Sequence, residues 1–210
     1  MQTTYTIVRD EVHPPAPDRE LALFTCMLQA SAARTGLEAL GIQIPEKFEL
    51  IHNTDGDDPP DLRAFGLGFE CTEFPPNQSA IRTVHQERAH QGMAVPGFSR
   101  TGGNVSRIRR YADSPGHRFC SVSEEISALE NAFVSVITGP RSKDVSGNDV
   151  LLLDQRQDDW PNMATDAIHR VLQRLSLQYV RLIFLVRWTG WQSSADGVRP
   201  PEPCVIQMYP

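Results

Sequence analysis

The spacing of apolar residues predicts helices at several places along the chain. RELALFTCMLQASAARTG carries them at helical intervals, with Asp18 as the N-cap and Gly36 as the stop. The same interval recurs over 121–137 and over about 162–177, and a further helix is predicted over 78–90.

Shorter apolar runs predict strands at 48–53, 149–155, 180–188 and 203–209, and two more between Asp61 and Phe74. VLLLD lacks alternation, which is typical of a strand buried on both faces. Residues 1–17 are predicted to be an extended lead-in, because their prolines disfavour a helix. This order of elements predicts one α/β or α+β domain around a mixed sheet.

Composition narrows the classes of protein. No apolar stretch approaches the roughly 20 residues of a membrane span, and the first residues lack the apolar core of an export signal. Four cysteines lie far apart without a CxxC pair, so we expect a cytoplasmic protein without a zinc ribbon or disulfide framework. The net charge of −6 argues against a general nucleic-acid coat but is compatible with a local basic groove.

Two acids follow a turn-rich segment and suggest a metal site. Asp61 stands after two prolines, and Glu70 lies nine residues later on the next predicted strand. Adjacent strands can bring both carboxylates to one surface, where they suit Mg²⁺. Glu20, in the first turn of the first helix, can complete the cluster from the side. The alternatives are a turn-forming Asp61, an edge strand with Glu70 in solvent, and a Glu20 that only favours the helix dipole.

This arrangement resembles the PD-(D/E)xK nuclease superfamily, through Glu20, Pro60-Asp61, Glu70-Cys71-Thr72 and the helix and strand of 121–155. The resemblance covers roughly residues 18–155. It implies a restriction-endonuclease-like fold, with an insertion at about 92–119 and 156–210 extending the core. It also implies an enzyme that hydrolyses phosphodiester bonds with Mg²⁺ or Mn²⁺, of bacterial or phage origin.

The resemblance implies that Asp61 and Glu70 are metal ligands, with Glu20 and Thr72 in support. Thr72 stands where the superfamily has lysine, and its hydroxyl carries no charge. Arg82, His85 and Gln86 are candidates to replace that lysine, and Lys143 is a weaker one. The chain has only two lysines, Lys47 and Lys143.

An arginine-rich stretch is the candidate nucleic-acid contact, alongside Arg82. Tyr111 in the same stretch offers a stacking surface for a single strand. A solvated loop is the alternative. The arginines of this stretch, with one aspartate among them, are Arg100, Arg107, Arg109, Arg110 and Arg118.

The predicted function is therefore a divalent-metal-dependent nuclease with DNA as the expected substrate, acting alone, as a homodimer or with a protein partner. The first alternative is the same fold without catalysis, as a binding or regulatory protein. A second is an unrelated α/β domain for protein interaction. His52, His117 and His169 have no metal-ligating neighbours in the sequence, and most of the histidines are interpreted as surface residues or as supports of a site.

Overall fold

A seven-stranded mixed sheet forms the centre of the molecule, which is described here from a computed structural model. The structure describes residues 2–9, 18–54, 59–74, 93–94, 118–119, 122–139, 142–155, 161–188, 192–194, 197–199 and 203–210.

The described strands are β1 (Gln2–Val8), β2 (Lys47–Asn53), β3 (Leu62–Ala64), β4 (Leu67–Glu73), β5 (Met93–Ala94), β6 (Arg118–Phe119), β7 (Val150–Gln155), β8 (Leu182–Trp188), β9 (Gln192–Ser194), β10 (Gly197–Arg199) and β11 (Pro203–Tyr209). In the central sheet the strand order is β1-β2-β3-β4-β7-β8-β11, and two further pairs of short strands, β5–β6 and β9–β10, lie outside this sheet.

Helices cover both faces of the sheet. Helices α1 (Arg19–Gln29) and α2 (Ser31–Ala39) pack on one face, and α3 (Val122–Thr138) and α4 (Pro161–Leu172) on the other. Strands β4 and β7 are parallel, as are β7 and β8, whereas the remaining neighbours in the sheet are antiparallel. The predicted α/β class with a mixed central sheet is confirmed, and the more specific restriction-endonuclease-like fold stays a prediction.

The two central strands explain the continuous apolar runs in the sequence. Along β7, Val150 and Leu152 join the core under α1 and α2, while Leu151 and Leu153 join the core under α3 and α4. All of β7 is buried. A strand covered on both faces has no solvent side for polar residues, as predicted for VLLLD.

Four boundaries differ from the predictions, the first being that α2 continues through the predicted stop, Gly36, to Ala39. The first helical region is two helices, because Ala30 adopts an extended backbone (φ −82°, ψ 129°) between them. The fourth helix ends at Leu172, since the chain then turns towards β8. Gln2–Val8, predicted as part of an extended lead-in, forms edge strand β1 and pairs with β2 along its whole length.

The described helices are all too short or too polar to cross a membrane. The predicted helix at 78–90 and nearly all of the predicted insertion at 92–119 lie outside the described residues.

Candidate functional site

A tight hairpin brings Asp61 beside the middle of β4. Phe65 and Gly66 form the turn with φ values of 57° and 75°, the backbone conformation of a two-residue hairpin. β3 pairs with β4 from Leu67 to Phe69, so the Cys71 N–H lies beyond the paired region. That N–H donates to Asp61 Oδ2 at 2.7 Å. The Asp61 carboxylate is therefore fixed next to the residue that follows Glu70.

Glu70 is a buried acid that is only half satisfied. The residue is buried, with 4% of its surface exposed. Lys143 Nζ donates to Oε1, while the buried Oε2 has no hydrogen-bond partner among the described residues. Because a buried carboxylate oxygen needs a donor or a cation, this atom is a candidate ligand for a cation.

The electrostatics show that the predicted acids act on one another. Burial and the negative charge of Glu70 raise the pKa of Asp61 from 3.8 to about 6, and Glu20 adds to this rise. The Cys71 N–H and Lys143 oppose it. Burial, together with the same three acids, also raises the pKa of the Cys71 thiol well above its ordinary value. Glu20, Asp61 and Glu70 thus share one electrostatic environment, and Lys143 partly compensates it.

Lys143 reaches this site from the loop between α3 and β7, 73 residues after Glu70. Its backbone is held at both ends. The Lys143 N–H donates to Val136 O at 3.1 Å, at the end of α3, and its carbonyl accepts from the buried Asn148 Nδ2 at 3.0 Å. The lysine is therefore presented by an ordered loop.

Asp144 anchors the same loop to the segment that precedes β8. Its carboxylate accepts three consecutive backbone N–H groups, from Gln178 at 2.8 Å, Tyr179 at 2.7 Å and Val180 at 3.0 Å. A carboxylate that satisfies three backbone donors restrains both segments, so it limits the positions that the neighbouring Lys143 can take.

Gly68 allows this loop to lie directly against β4. A Cβ atom at Gly68 would stand 1.8 Å from the backbone oxygen of Gly147. Two hydrogen bonds close the same contact, from Gly68 N to Asp149 Oδ2 and from Asp149 N to Gly68 O, each 2.9 Å long. Only glycine fits at this approach, and the approach sets the distance between the loop and Glu70.

A second group of ligand atoms lies at the start of α1. His52 Nε2 is 2.7 Å from Glu20 Oε2 and 3.8 Å from Asp18 Oδ1. One ligand atom from each of these residues lies within 4.8 Å of the others, so the group could hold a metal ion. His52 is buried, and the two acids are half-buried.

The start of α1 is fixed by two kinds of contact. Asp18 Oδ1 caps the helix by accepting from the N–H groups of Glu20 and Leu21, as predicted. Arg19 Nε donates to the buried Asp154 on β7 at 2.7 Å. These contacts fix the backbone at Glu20, whose side chain is held by His52.

The predicted site residues fall into three sets. Glu20 and Glu70 both lie close enough to Asp61 for their charges to raise its pKa. Thr72 is half-buried on the face of β4 that carries Glu70. Of the predicted nucleic-acid contacts, only Arg118 has a described backbone, in β6. The others, Arg82, Arg100, Arg107, Arg109 and Arg110, lie outside the described residues, as do His85 and Gln86.

Two site residues received too little weight from sequence reasoning. From the sequence, Lys143 is only a weak candidate. Two signals could have raised its weight: it is one of only two lysines in the chain, and it lies in a polar loop before a buried strand. His52 is not a surface residue, since it is 2% exposed. The alternation in FELIHN places His52 on the same face of β2 as the buried Leu50, and this signal could have revealed its burial.

Comparisons with protein-family models, with curated proteins and with solved structures return no match for this chain. The function is therefore inferred from the geometry of these side chains.

Proposed function

We propose that the protein is a divalent-metal-dependent nuclease that hydrolyses phosphodiester bonds of nucleic acid, with DNA as the expected substrate. The observation that carries the proposal is the arrangement around Glu70. A buried glutamate, with one oxygen unpaired among the described residues, lies beside Asp61 and is paired with a lysine from a distant loop. This combination supplies the two acids and the cation that the resemblance implies, with Lys143 in place of the lysine missing at Thr72.

The residues present fit a hard divalent cation. Glu70 Oε2 is buried without a partner among the described residues, and the charges of Glu20 and Glu70 raise the pKa of Asp61. Carboxylates that repel one another in this way are stabilised by a cation between them. Asp61 and Glu70 would hold the ion, with Glu20 in support, because Mg²⁺ prefers carboxylate and water oxygens. A bound ion of this kind would lower the pKa of a water molecule and neutralise phosphate charge.

Lys143 has a separate role in the proposed reaction. Its ammonium group carries three N–H donors, of which one is used by Glu70. The remaining donors are suited to a phosphate oxygen, whose negative charge increases as water attacks phosphorus. As the water oxygen bonds to phosphorus, the phosphorus–oxygen bond to the leaving group breaks. The attacking water gives a proton to the solvent, and the leaving oxygen takes one from it. The hydrogen bonds of the Lys143 backbone hold its ammonium group near Glu70, so little movement of the loop is needed during the reaction.

Thr72 is the weaker member of the proposed site. It lies two residues beyond Glu70 on the same face of β4, where its hydroxyl can donate a hydrogen bond to a water or a phosphate oxygen. The proposal assigns it positioning only. The arginines of 100–118 remain the proposed contacts to the nucleic-acid backbone.

The test is a cleavage assay on plasmid DNA, single-stranded DNA and RNA, with Mg²⁺ or Mn²⁺ and with EDTA. Glu70→Gln, Asp61→Asn and Lys143→Met are each expected to lower the cleavage rate roughly 100-fold or more. Lys47→Met is the matched control, because it removes the only other lysine, exposed on β2, and is expected to leave the rate unchanged.

Two results would contradict the proposal. One is cleavage at the wild-type rate by Asp61→Asn or Glu70→Gln, which would show that another group or a contaminant cuts the substrate. The other is a folded wild-type protein that cuts none of the substrates and gives no heat on titration with Mg²⁺. That second result would favour the binding or regulatory alternative.

A further inference from the structure

The group formed by Asp18, Glu20 and His52 differs in chemistry from the pair Asp61 and Glu70. It offers one imidazole nitrogen and two carboxylate oxygens, whereas Asp61 and Glu70 offer oxygen alone. The donors come from two elements that pack against each other through Phe24 of α1 and Phe48 of β2. Asp18 and Glu20 belong to the start of α1, and His52 lies on β2 beneath it.

His52 is positioned as a ligand would be. Its side chain is 3% exposed, and Nε2 points at Glu20 Oε2 and Asp18 Oδ1. Its other ring nitrogen, Nδ1, is buried and has no hydrogen-bond partner among the described residues. With the ring proton on Nδ1, the neutral ring turns the lone pair of Nε2 towards the two acids, which is the form of histidine that binds a metal ion.

The two acids leave the group open to solvent on one side. The side chains of Asp18 and Glu20 are 41% and 31% exposed, so an ion and its remaining waters can reach them. Asp18 Oδ1 is already oriented by two backbone N–H groups, which lowers the cost of arranging it around an ion.

We propose that Asp18, Glu20 and His52 form a second cation site, which takes a divalent transition-metal ion such as Mn²⁺, Co²⁺ or Zn²⁺. An imidazole nitrogen with carboxylate oxygens is a donor set for these ions, whereas Mg²⁺ prefers oxygen ligands alone. Three protein ligands with open positions are also the pattern of exchangeable sites. The charge of Glu20 acts on Asp61, so this second site adjoins the first.

This inference does not depend on the nuclease activity, and its test measures metal binding directly. The full chain, with Asp61→Asn and Glu70→Gln introduced to disable the first site, is titrated with Co²⁺. Binding is followed by calorimetry and by the visible absorption that Co²⁺ gains on histidine coordination. We expect one ion per chain, retained in the presence of excess Mg²⁺.

Three variants in this background identify the ligands. His52→Gln and Glu20→Gln are expected to weaken Co²⁺ binding roughly ten-fold or more. Asp18→Ser keeps a good helix N-cap while removing the carboxylate, so it is expected to weaken binding without unfolding α1. His169→Gln is the control, because it removes an exposed histidine on α4.

The proposal is overturned if the parent binds no Co²⁺, or if Asp18→Ser and His52→Gln bind it as the parent does. In either case His52 serves only as the hydrogen-bond partner of Glu20. Circular dichroism of each variant shows whether it is folded. If His52→Gln does not fold, Asp18→Ser alone decides the question.

Discussion

Two buried acids on neighbouring strands, Glu70 on β4 and Asp154 on β7, have opposite hydrogen-bonding situations. Asp154 is fully buried, and both of its carboxylate oxygens are bonded, Oδ2 to Arg19 Nε at 2.7 Å and Oδ1 to Trp188 Nε1 at 2.8 Å. Glu70 is almost as deeply buried, yet only one of its oxygens is bonded among the described residues.

The difference distinguishes an acid that stabilises the fold from an acid that has an oxygen available for a ligand. Asp154 joins α1, β7 and β8, and each of its bonds stabilises that junction. Lys143 satisfies one oxygen of Glu70, and the other has no partner among the described residues, a situation typical of residues kept for a ligand. We therefore expect changes at Asp154 to affect folding, and changes at Glu70 to affect metal binding and cleavage.

The largest expected effect on stability comes from Asp154→Asn. The amide turns a donor towards Arg19 or Trp188 and leaves one of them without an acceptor, so the free energy of unfolding should fall by about 3 kcal/mol. Glu70→Gln should change it by less than about 1 kcal/mol, because the amide oxygen still accepts from Lys143. Urea unfolding in EDTA compares the two, and equal losses would remove the distinction between these acids.

The second effect tests the contact between β4 and the loop that carries Lys143. Gly68→Ala forces a methyl group against Gly147 O, so we expect a loss of about 2 kcal/mol and slower cleavage as the loop moves from Glu70. Gly66→Ala is the control on the same hairpin. It has open space around it but a φ of 75°, so it should cost about 1 kcal/mol and keep the cleavage rate. Equal cleavage by both variants would show that the loop position is unimportant.

The third effect is a pH dependence at Asp61. Its pKa in the folded protein, about 6, exceeds the ordinary value of 3.8, so the folded state holds this proton more tightly than the unfolded state. The resulting stability is complete below pH 3.8 and is lost as the pH rises through 6. Asp61→Asn removes this loss of stability at high pH and keeps a side-chain oxygen that accepts from the Cys71 N–H.

In EDTA, therefore, Asp61→Asn should unfold with a free energy about 1 to 2 kcal/mol above wild type at pH 8, after allowance for partial solvent screening. The gain should shrink towards pH 4. Chemical denaturation at pH 4, 6 and 8 provides the measurement. A gain that is independent of pH would contradict the raised pKa.

The smallest effect concerns Asp144, which acts on the site only through the loop. Asp144→Ala removes the acceptor of three backbone N–H groups at a partly exposed position, with a cost of about 1 kcal/mol. Cleavage should fall less than in Lys143→Met, while metal binding is unchanged. Asp166→Ala, at an exposed position on α4, is the control. A loss of cleavage as large as that of Lys143→Met would indicate direct participation of Asp144.

Much of the fold was predictable because it depends on local patterns. The two-residue alternation of a strand puts Phe69 and Cys71 on the opposite face of β4 from Glu70, and Phe69 and Cys71 join a different core from Phe74. The unbroken run of β7 correctly indicated burial on both faces. β1 was missed as a strand, since half of its residues are exposed and only its pairing with β2 defines it.

The candidate site was predictable only in part. Asp61 and Glu70 lie on one hairpin, so their closeness follows from a short-range turn. Lys143 is different, because the parallel pairing of β4 and β7 through α3 brings its loop to Glu70. No local pattern encodes a contact across 73 residues.

The sequence by itself determined the alternation of elements and the buried strands. It also identified Asp61 and Glu70, the acids proposed to bind a cation. It did so because burial and hairpin turns depend on residues a few positions apart. Only the tertiary structure decided which basic group faces Glu70 and that His52 meets Glu20. Those neighbours come from separate elements, and the packing of the sheet against its helices brings them together.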